Sequence, residues 1–189
     1  VNYVENTYPE LMKNVSTCKS PMQMFAALLK DYYKSDDKKL VSVAIMPCSA
    51  KKFEANRDEF KKNGVPDVDY VVTTQELINM IKELGIVFSE LEPEAVDMPF
   101  DLSSGAGVIF GVTGGVTEAV MRKVLSDEPI SVVRALAFET VRGMDGVKEA
   151  ALTVGGSEIK VAVVSGLKNA DDVIKRIKSG EAHYDFVEV

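Results

Sequence analysis

The chain has 189 residues, 46% of them hydrophobic and 27% charged, enough to bury a substantial core as one domain or two small lobes. Its formal net charge of −7 disfavours general nucleic-acid binding, and no apolar run approaches the ~18 residues of a membrane span. Two cysteines, Cys18 and Cys48, make neither a disulfide framework nor a four-ligand metal site, and the single His183 excludes a multi-histidine centre within these residues.

The first 19 residues carry Tyr3 and Tyr8 and a turn-like Tyr8-Pro9. A helix is expected to follow sharply. Ser20 is a good N-cap, Pro21 suits the first helical position, and Gln23 stands three residues after the cap. Phe25, Leu28, Leu29 and Tyr32 recur at helical spacing and predict its buried face. Residues 40–46 are apolar without alternation, which predicts a central parallel strand covered on both faces.

That run stops at Pro47, and Cys48, Ser49, Ala50 and the pair Lys51-Lys52 follow at once. A strand so placed delivers a thiol and a cation to the end of a sheet, where open α/β folds hold their ligands. The lysines give Cys48 the electropositive setting of a reactive or metal-bound thiol, but a buried structural cysteine fits the residues as well. A Cys/His pair would need His183, far along the chain. Cys18, between Thr17 and Lys19, reads as a plain small residue.

Residues 51–62 are polar and partly helical in expectation, ending at Asn63-Gly64. A short strand at 70–73 feeds a second helix: Thr73 and Glu76 form a capping box, Leu77, Ile78, Ile81 and Leu84 the apolar face, and Gly85 the stop. Between Glu83 and Met121 there is no Lys or Arg, whereas Glu90, Glu92, Glu94, Asp97 and Asp101 all fall there, so 88–104 reads as an acidic surface loop or lid. Gly105, Gly107, Gly111, Gly114 and Gly115 lack the spacing of a dinucleotide loop and suit close backbone approach instead. Val116, Val120, Met121, Val124 and Leu125 predict a third helix with a Glu118/Arg122 surface pair, broken at 126–129.

A strand is expected at 132–138, then a hairpin of 147–154 and 159–164 around Gly155-Gly156-Ser157. Asn169 is the expected cap of a last helix burying Ala170, Val173, Ile174 and Ile177 and closed by Gly180, and 184–189 the final strand. The order of elements predicts an α/β fold, a mostly parallel mixed sheet flanked by helices, with residues 1–189 as a single α/β unit.

Residues 45–54, Ile-Met-Pro-Cys-Ser-Ala-Lys-Lys-Phe-Glu, closely resemble the middle cluster-binding motif of the iron-only (FeFe) hydrogenases. Residues 1–33, the glycine-rich 104–124 and 134–150 continue the resemblance, which spans essentially the whole chain. It implies an H-cluster, a 4Fe–4S cubane bridged by a cysteine to a two-iron unit with CO, CN⁻ and a dithiolate, held by four cysteines. Only one of those positions falls here, on Cys48. The other motifs are expected before Val1 and after Val189, making the chain a middle piece of the catalytic domain that is inactive and without the cluster on its own.

By the same resemblance Lys51 matches the lysine that donates to a cyanide, and Ser16 a serine of the proton-transfer chain. Met46 matches a methionine against the bridging carbonyl, Phe110 the phenyl wall of the pocket, and Pro21 another apolar neighbour; Pro47 stands within the motif. Met22 and Ser49 depart from the commoner glutamine and threonine. The implied partners are H₂, protons, a ferredoxin-like electron carrier and the rest of the catalytic domain, with no nucleic acid and no membrane span, in a parent expected in the cytoplasm and alternatively in the periplasm. Three rivals stand beside this reading. One is a relative like the nuclear prelamin A recognition factor-like proteins, which serve iron–sulfur protein assembly. The others are an H₂-sensing homologue and a purely structural interaction domain.

Overall fold

In the computed structural model of the chain, which describes residues 1–35, 37–100, 105–124, 139–140, 145–154 and 157–189, there are two units, Val1–Ala95 and Val96–Val189. The first begins with helix α1 (Asn2–Thr7) and a 3₁₀ turn (Pro9–Asn14), then helix α2 (Pro21–Tyr32). Ser20 caps α2 as its sequence predicts: its Oγ accepts the Gln23 N–H at 3.4 Å, and Pro21 takes the first turn, where no N–H is needed.

Strand β1 (Val43–Met46) pairs in parallel with β4 (Tyr70–Thr73), Val43 opposite Tyr70 and Met46 opposite Thr73. Between them run helix α3 (Ala50–Ala55), a 3₁₀ turn, and a small hairpin of β2 (Lys61–Lys62) and β3 (Val65–Pro66). Asn63 and Gly64 turn that hairpin with φ of 54° and 78°, the left-handed pair a tight two-residue loop requires. The Asn-Gly signal therefore reverses the chain into a strand rather than closing a helix. Helix α4 (Thr74–Glu83) opens with the expected capping box between Thr73 and Glu76 and stops at Gly85, φ 68°.

The parallel pair is pinned where it begins. Asp69 Oδ2 accepts from the Ser42 N–H at 2.7 Å and pairs with the Lys30 ammonium at 2.7 Å; Ser42 Oγ donates to the Asp67 carbonyl at 2.8 Å. Burial would raise the Asp69 carboxyl, but Lys30 and Ser42 outweigh it and hold it below its usual range.

Three predicted faces are corrected here. On α2 the buried residues are Gln23 and Ala26, while Phe25 (50%), Leu28 (58%) and Tyr32 (59%) are exposed. The reason is steric: Ala26 meets Ala55 and Val68, and a small residue at that contact brings the helix close with its bulky side chains turned away. On β1 burial alternates, with Ala44 and Met46 half-buried and Val43 and Ile45 exposed, because this unit covers only one face of the strand. On α4, Leu77 and Ile81 are half-buried and Ile78 and Leu84 exposed.

In the second unit, α5 (Gly105–Ile109) and α6 (Gly115–Val124) precede a sheet of order β5-β6-β7-β8. Strands β5 (Glu139–Thr140), β6 (Val147–Val154) and β7 (Ser157–Val164) are antiparallel neighbours; β8 (Phe186–Glu188) joins β7 in parallel. Helix α7 (Leu167–Ser179) connects β7 to β8. Val161 to Val164 are all buried, as a central strand requires. Ala162 and Val164 pack with Val147, Ala170 and Val173 on one face, and Val161 with Met121 and Ala150 on the other. At about 1.5–3 kcal/mol per fully buried valine, Val147, Val161, Val164 and Val173 dominate this core.

The α/β class is borne out, with the strands of the described residues in three sheets rather than one. The hairpin, the Glu118–Arg122 pair and the Gly180 stop are found as expected. Asn169 is not the cap: α7 starts earlier, after Gly166, and the Asn169 amide donates to the Asp145 and Ser165 carbonyls, both at 2.8 Å. Ile177 lies exposed. On α6 Gly115, Thr117 and Met121 are buried, whereas Val116 and Val120 are exposed. Residues 88–100 are almost wholly exposed, as an acidic surface segment should be. The strand expected at 132–138, the helix break at 126–129 and the Gly155-Gly156 turn lie outside the described residues. No described helix is long and apolar enough to cross a membrane.

Candidate metal centre

The parallel ladder ends at Met46, Pro47 cannot donate to it, and Cys48 emerges where the chain turns into α3. Cys48 is exposed and free, and its Sγ accepts the Ala50 N–H at 3.3 Å. The Lys51 N–H bonds the Cys48 carbonyl at 3.3 Å and the Lys52 N–H that of Ser49 at 3.0 Å, so the thiol sits on the first turn of α3.

One carboxylate organises the charges around it. Glu54 Oε2 pairs with Lys51 Nζ at 2.6 Å, and Glu54 Oε1 accepts from the Ser20 hydroxyl. A single side chain thus ties the candidate cation on α3 to the cap of α2 and brings Ser20-Pro21 beside the strand end. Sequence reasoning assigned Glu54 no role; its signal was the three-residue spacing from Lys51, which puts both on one helix face. Lys52 turns the other way, to Glu76 of the α4 capping box, at 2.5 Å. Lys52 first, then the Thr73 N–H and hydroxyl, hold the Glu76 carboxyl down at about 2.

The strand end therefore gathers Met46, Pro47, Cys48 and Lys51, with Pro21 joined through Ser20 and Glu54. Met46 is half-buried, Pro47 and Pro21 exposed. Ser16 is exposed in its own loop, where its Oγ accepts the Cys18 N–H at 3.2 Å. Phe110 belongs to the second unit, exposed on the turn between α5 and α6. Gln23, two residues after Pro21, is fully buried with neither side-chain amide atom hydrogen-bonded among the described residues.

Among the described residues no three His, Cys, Asp or Glu side chains gather as a metal ion would need. One accessible thiol with an N–H directed at its sulfur and a tethered ammonium nearby fits a single ligand of a thiolate-held cluster, not the whole ligand set.

The family described as "Iron only hydrogenase large subunit, C-terminal domain" matches the chain over residues 1–189. The Periplasmic [Fe] hydrogenase large subunit of Nitratidesulfovibrio vulgaris is 45% identical over 98% of this chain and 45% of its own length. An apo FeFe-hydrogenase from Chlamydomonas reinhardtii superposes with a TM-score of 0.80 at 38% identity, covering 98% of this chain and 55% of that one. A probable cytosolic Fe-S cluster assembly factor of Nematostella vectensis is 32% identical over 99% of this chain and 45% of its own length. The chain thus spans about half the length of these relatives.

Proposed function

The chain belongs to the family of iron-only hydrogenase large subunits, C-terminal domain, and from that premise we propose that residues 1–189 work as one piece of a catalytic domain whose parent interconverts 2H⁺ + 2e⁻ with H₂. The observation that carries this reading is the Met46-Pro47-Cys48 strand end with Lys51 held beside it by Glu54. The large apolar side chains left open on α2 and β1 support a place inside a larger domain, since exposed apolar surface of that kind marks an interaction face.

An H-cluster, when bound, would supply the iron redox chemistry, and the chain's residues would prepare its surroundings. Cys48 would give one thiolate, with the Ala50 N–H steadying the sulfur. Lys51 has three donors; with one on Glu54, the others are free for the nitrogen of a cyanide. Pro21, Met46, Pro47 and Phe110 would exclude water. The Ser16 hydroxyl, donor and acceptor at once, would pass a proton at Oγ. The remaining thiolates would come from the rest of the catalytic domain, and electrons from a ferredoxin-like carrier. We place the parent in the cytoplasm, with the periplasm, where one relative is named, as the alternative.

The relative named as an assembly factor supports a second reading, iron–sulfur protein assembly, and an H₂-sensing homologue is a third. Lys51 and Phe110 favour hydrogenase chemistry over assembly, because a protein without a two-iron unit has no cyanide for the lysine. Iron analysis and H₂ evolution, measured on the 189-residue chain and on the full-length protein loaded with cofactor, test the proposal. The chain alone should hold no stoichiometric cluster and evolve no H₂, while the full-length protein does both. A full-length protein that binds a cubane and evolves no H₂ sinks the hydrogenase reading in favour of assembly; turnover far below that of working hydrogenases favours sensing.

A further inference from the structure

We propose that Glu188 is a positioning residue that sets the turn carrying Phe110, reaching back from the last strand to hold the glycine-rich segment in one conformation. Its carboxylate accepts the Gly114 N–H at 3.0 Å and the Thr117 N–H at 2.7 Å, and it also accepts from the Thr117 hydroxyl. These donors lie on the residue before the ten-residue helix α6 and in its first turn, where free N–H groups and the helix dipole both favour an anion. Thr117 is fully buried, so its hydroxyl cannot turn to water for a substitute partner.

The glycines make the approach possible. A Cβ on Gly115 would lie 1.7 Å from the Ile109 carbonyl oxygen, so the turn closes only with glycine there. Gly114 has φ 86°, and a Cβ on it would meet Val163 Cγ1 at 3.2 Å. Val163 is the register partner of Glu188 across β7 and β8. The turn therefore rests on the same rung of the sheet whose side chain clamps it. Within the turn the Val112 N–H bonds the Ile109 carbonyl at 3.3 Å and the Gly115 N–H bonds that of Val112 at 2.9 Å. Phe110 lies inside this loop, closed at its far end by the clamp. Displacing Gly114 from Glu188 frees the backbone that aims the phenyl ring.

The inference rests on the reading of Phe110 as an apolar wall against the cofactor, and two measurements keep the two apart. The first is amide hydrogen exchange at Gly114 and Thr117 in the 189-residue chain. Glu188→Ala should speed it about tenfold or more, and Glu188→Gln, which keeps one acceptor oxygen, by less. The second is the infrared bands of the CO and CN⁻ ligands in the full-length, cofactor-loaded protein, where Glu188→Ala should shift the bands that Phe110→Ala shifts and Glu188→Gln should restore them in part. Thr117→Val, which removes only the hydroxyl bond, gives the same test if Glu188→Ala does not fold. Unchanged exchange in these variants overturns the clamp. Faster exchange with unmoved bands overturns the positioning role; Phe110→Ala then shows the cause, since bands it moves mean the clamp does not aim the ring, and bands it leaves alone mean the pocket reading itself failed.

Discussion

Replacing Asp69 by Asn should loosen the strand pair that carries Cys48, and the size of the loss follows from the contacts. The carboxylate holds the Lys30 ammonium at 2.7 Å and the Ser42 N–H at 2.7 Å, with the Ser42 hydroxyl at 3.3 Å. The Lys30 and Asp69 side chains are only 16% and 17% exposed, so water screens them incompletely. A hydrogen bond to a charged group contributes about 1.5–3 kcal/mol, and an amide keeps part of it, so Asp69→Asn should cost about 2 kcal/mol at neutral pH. Urea denaturation would read this as a midpoint lowered by about 1 M, for a slope of about 2 kcal/mol/M. The pH dependence gives a second check. The folded carboxyl is held below its ordinary value, so its contribution is complete above the unfolded pKa and lost as pH falls through the folded one. The cost of Asp69→Asn should accordingly shrink below about pH 4. A loss under about 0.5 kcal/mol at neutral pH, well short of a charged hydrogen bond, refutes the network's role; so does a loss that is equal in acid.

Four further outcomes are expected. Gly115→Ala should destabilise by about 3 kcal/mol or more, read by thermal or urea melting, because its methyl would overlap the Ile109 carbonyl and only a backbone shift could relieve it. Gln23→Met should raise stability by about 1 kcal/mol in the same melts, since it removes a fully buried amide without partners among the described residues and keeps the volume; a loss instead would mean the amide has found a bound water. Tyr184 is pushed up to about 12 by burial first and then by its bond to the Glu149 carboxylate. Its phenolate absorbance should therefore appear only near that pH, and the stability it contributes, complete below the unfolded value of about 10, should fall as pH rises towards 12. Lys51→Arg in the full-length loaded protein should fail to restore the cyanide bands, because a planar guanidinium can engage Glu54 with two donors at once; wild-type bands would refute that geometry.

What the sequence made legible was local. The Ser20 cap, the Thr73–Glu76 capping box, the Gly85 and Gly180 stops and the β6–β7 hairpin each depend on residues a few positions apart, and each is found. The faces of α2 and α4 were not legible, because a helical period shows which residues share a side but not which side meets a neighbour. On α2 the deciding contact is Ala26 with Ala55 and Val68, small residues that carry little weight in a hydrophobic pattern. The same limit hid the roles of Glu54 and Glu188. A carboxylate with a partner on another element, as Glu54 has in Ser20 and Glu188 in Gly114 and Thr117, does not show that link in the sequence. The family resemblance proposed Cys48 as a ligand because it compares whole motifs, yet it left unassigned the two acids, Glu54 and Glu188, that bond beside the matched segments.

Those two acids follow one physical logic. Glu54 joins the cap of α2 to the lysine of α3, and Glu188 joins the last strand to the first turn of α6. In both, a carboxylate links elements far apart in sequence, one next to the candidate ligand and the other next to the candidate wall. Such a link is stiff because each oxygen has its own donor, so moving either element breaks a charge-assisted bond. It also bears on the role proposed for Lys51. A free ammonium on a flexible stem would sample many rotamers and lose entropy on binding. Held by Glu54, it meets that cost during folding and keeps two donors unspent. In the proposed site the acid, rather than the lysine alone, would ready a strand ending in a thiol for a cofactor.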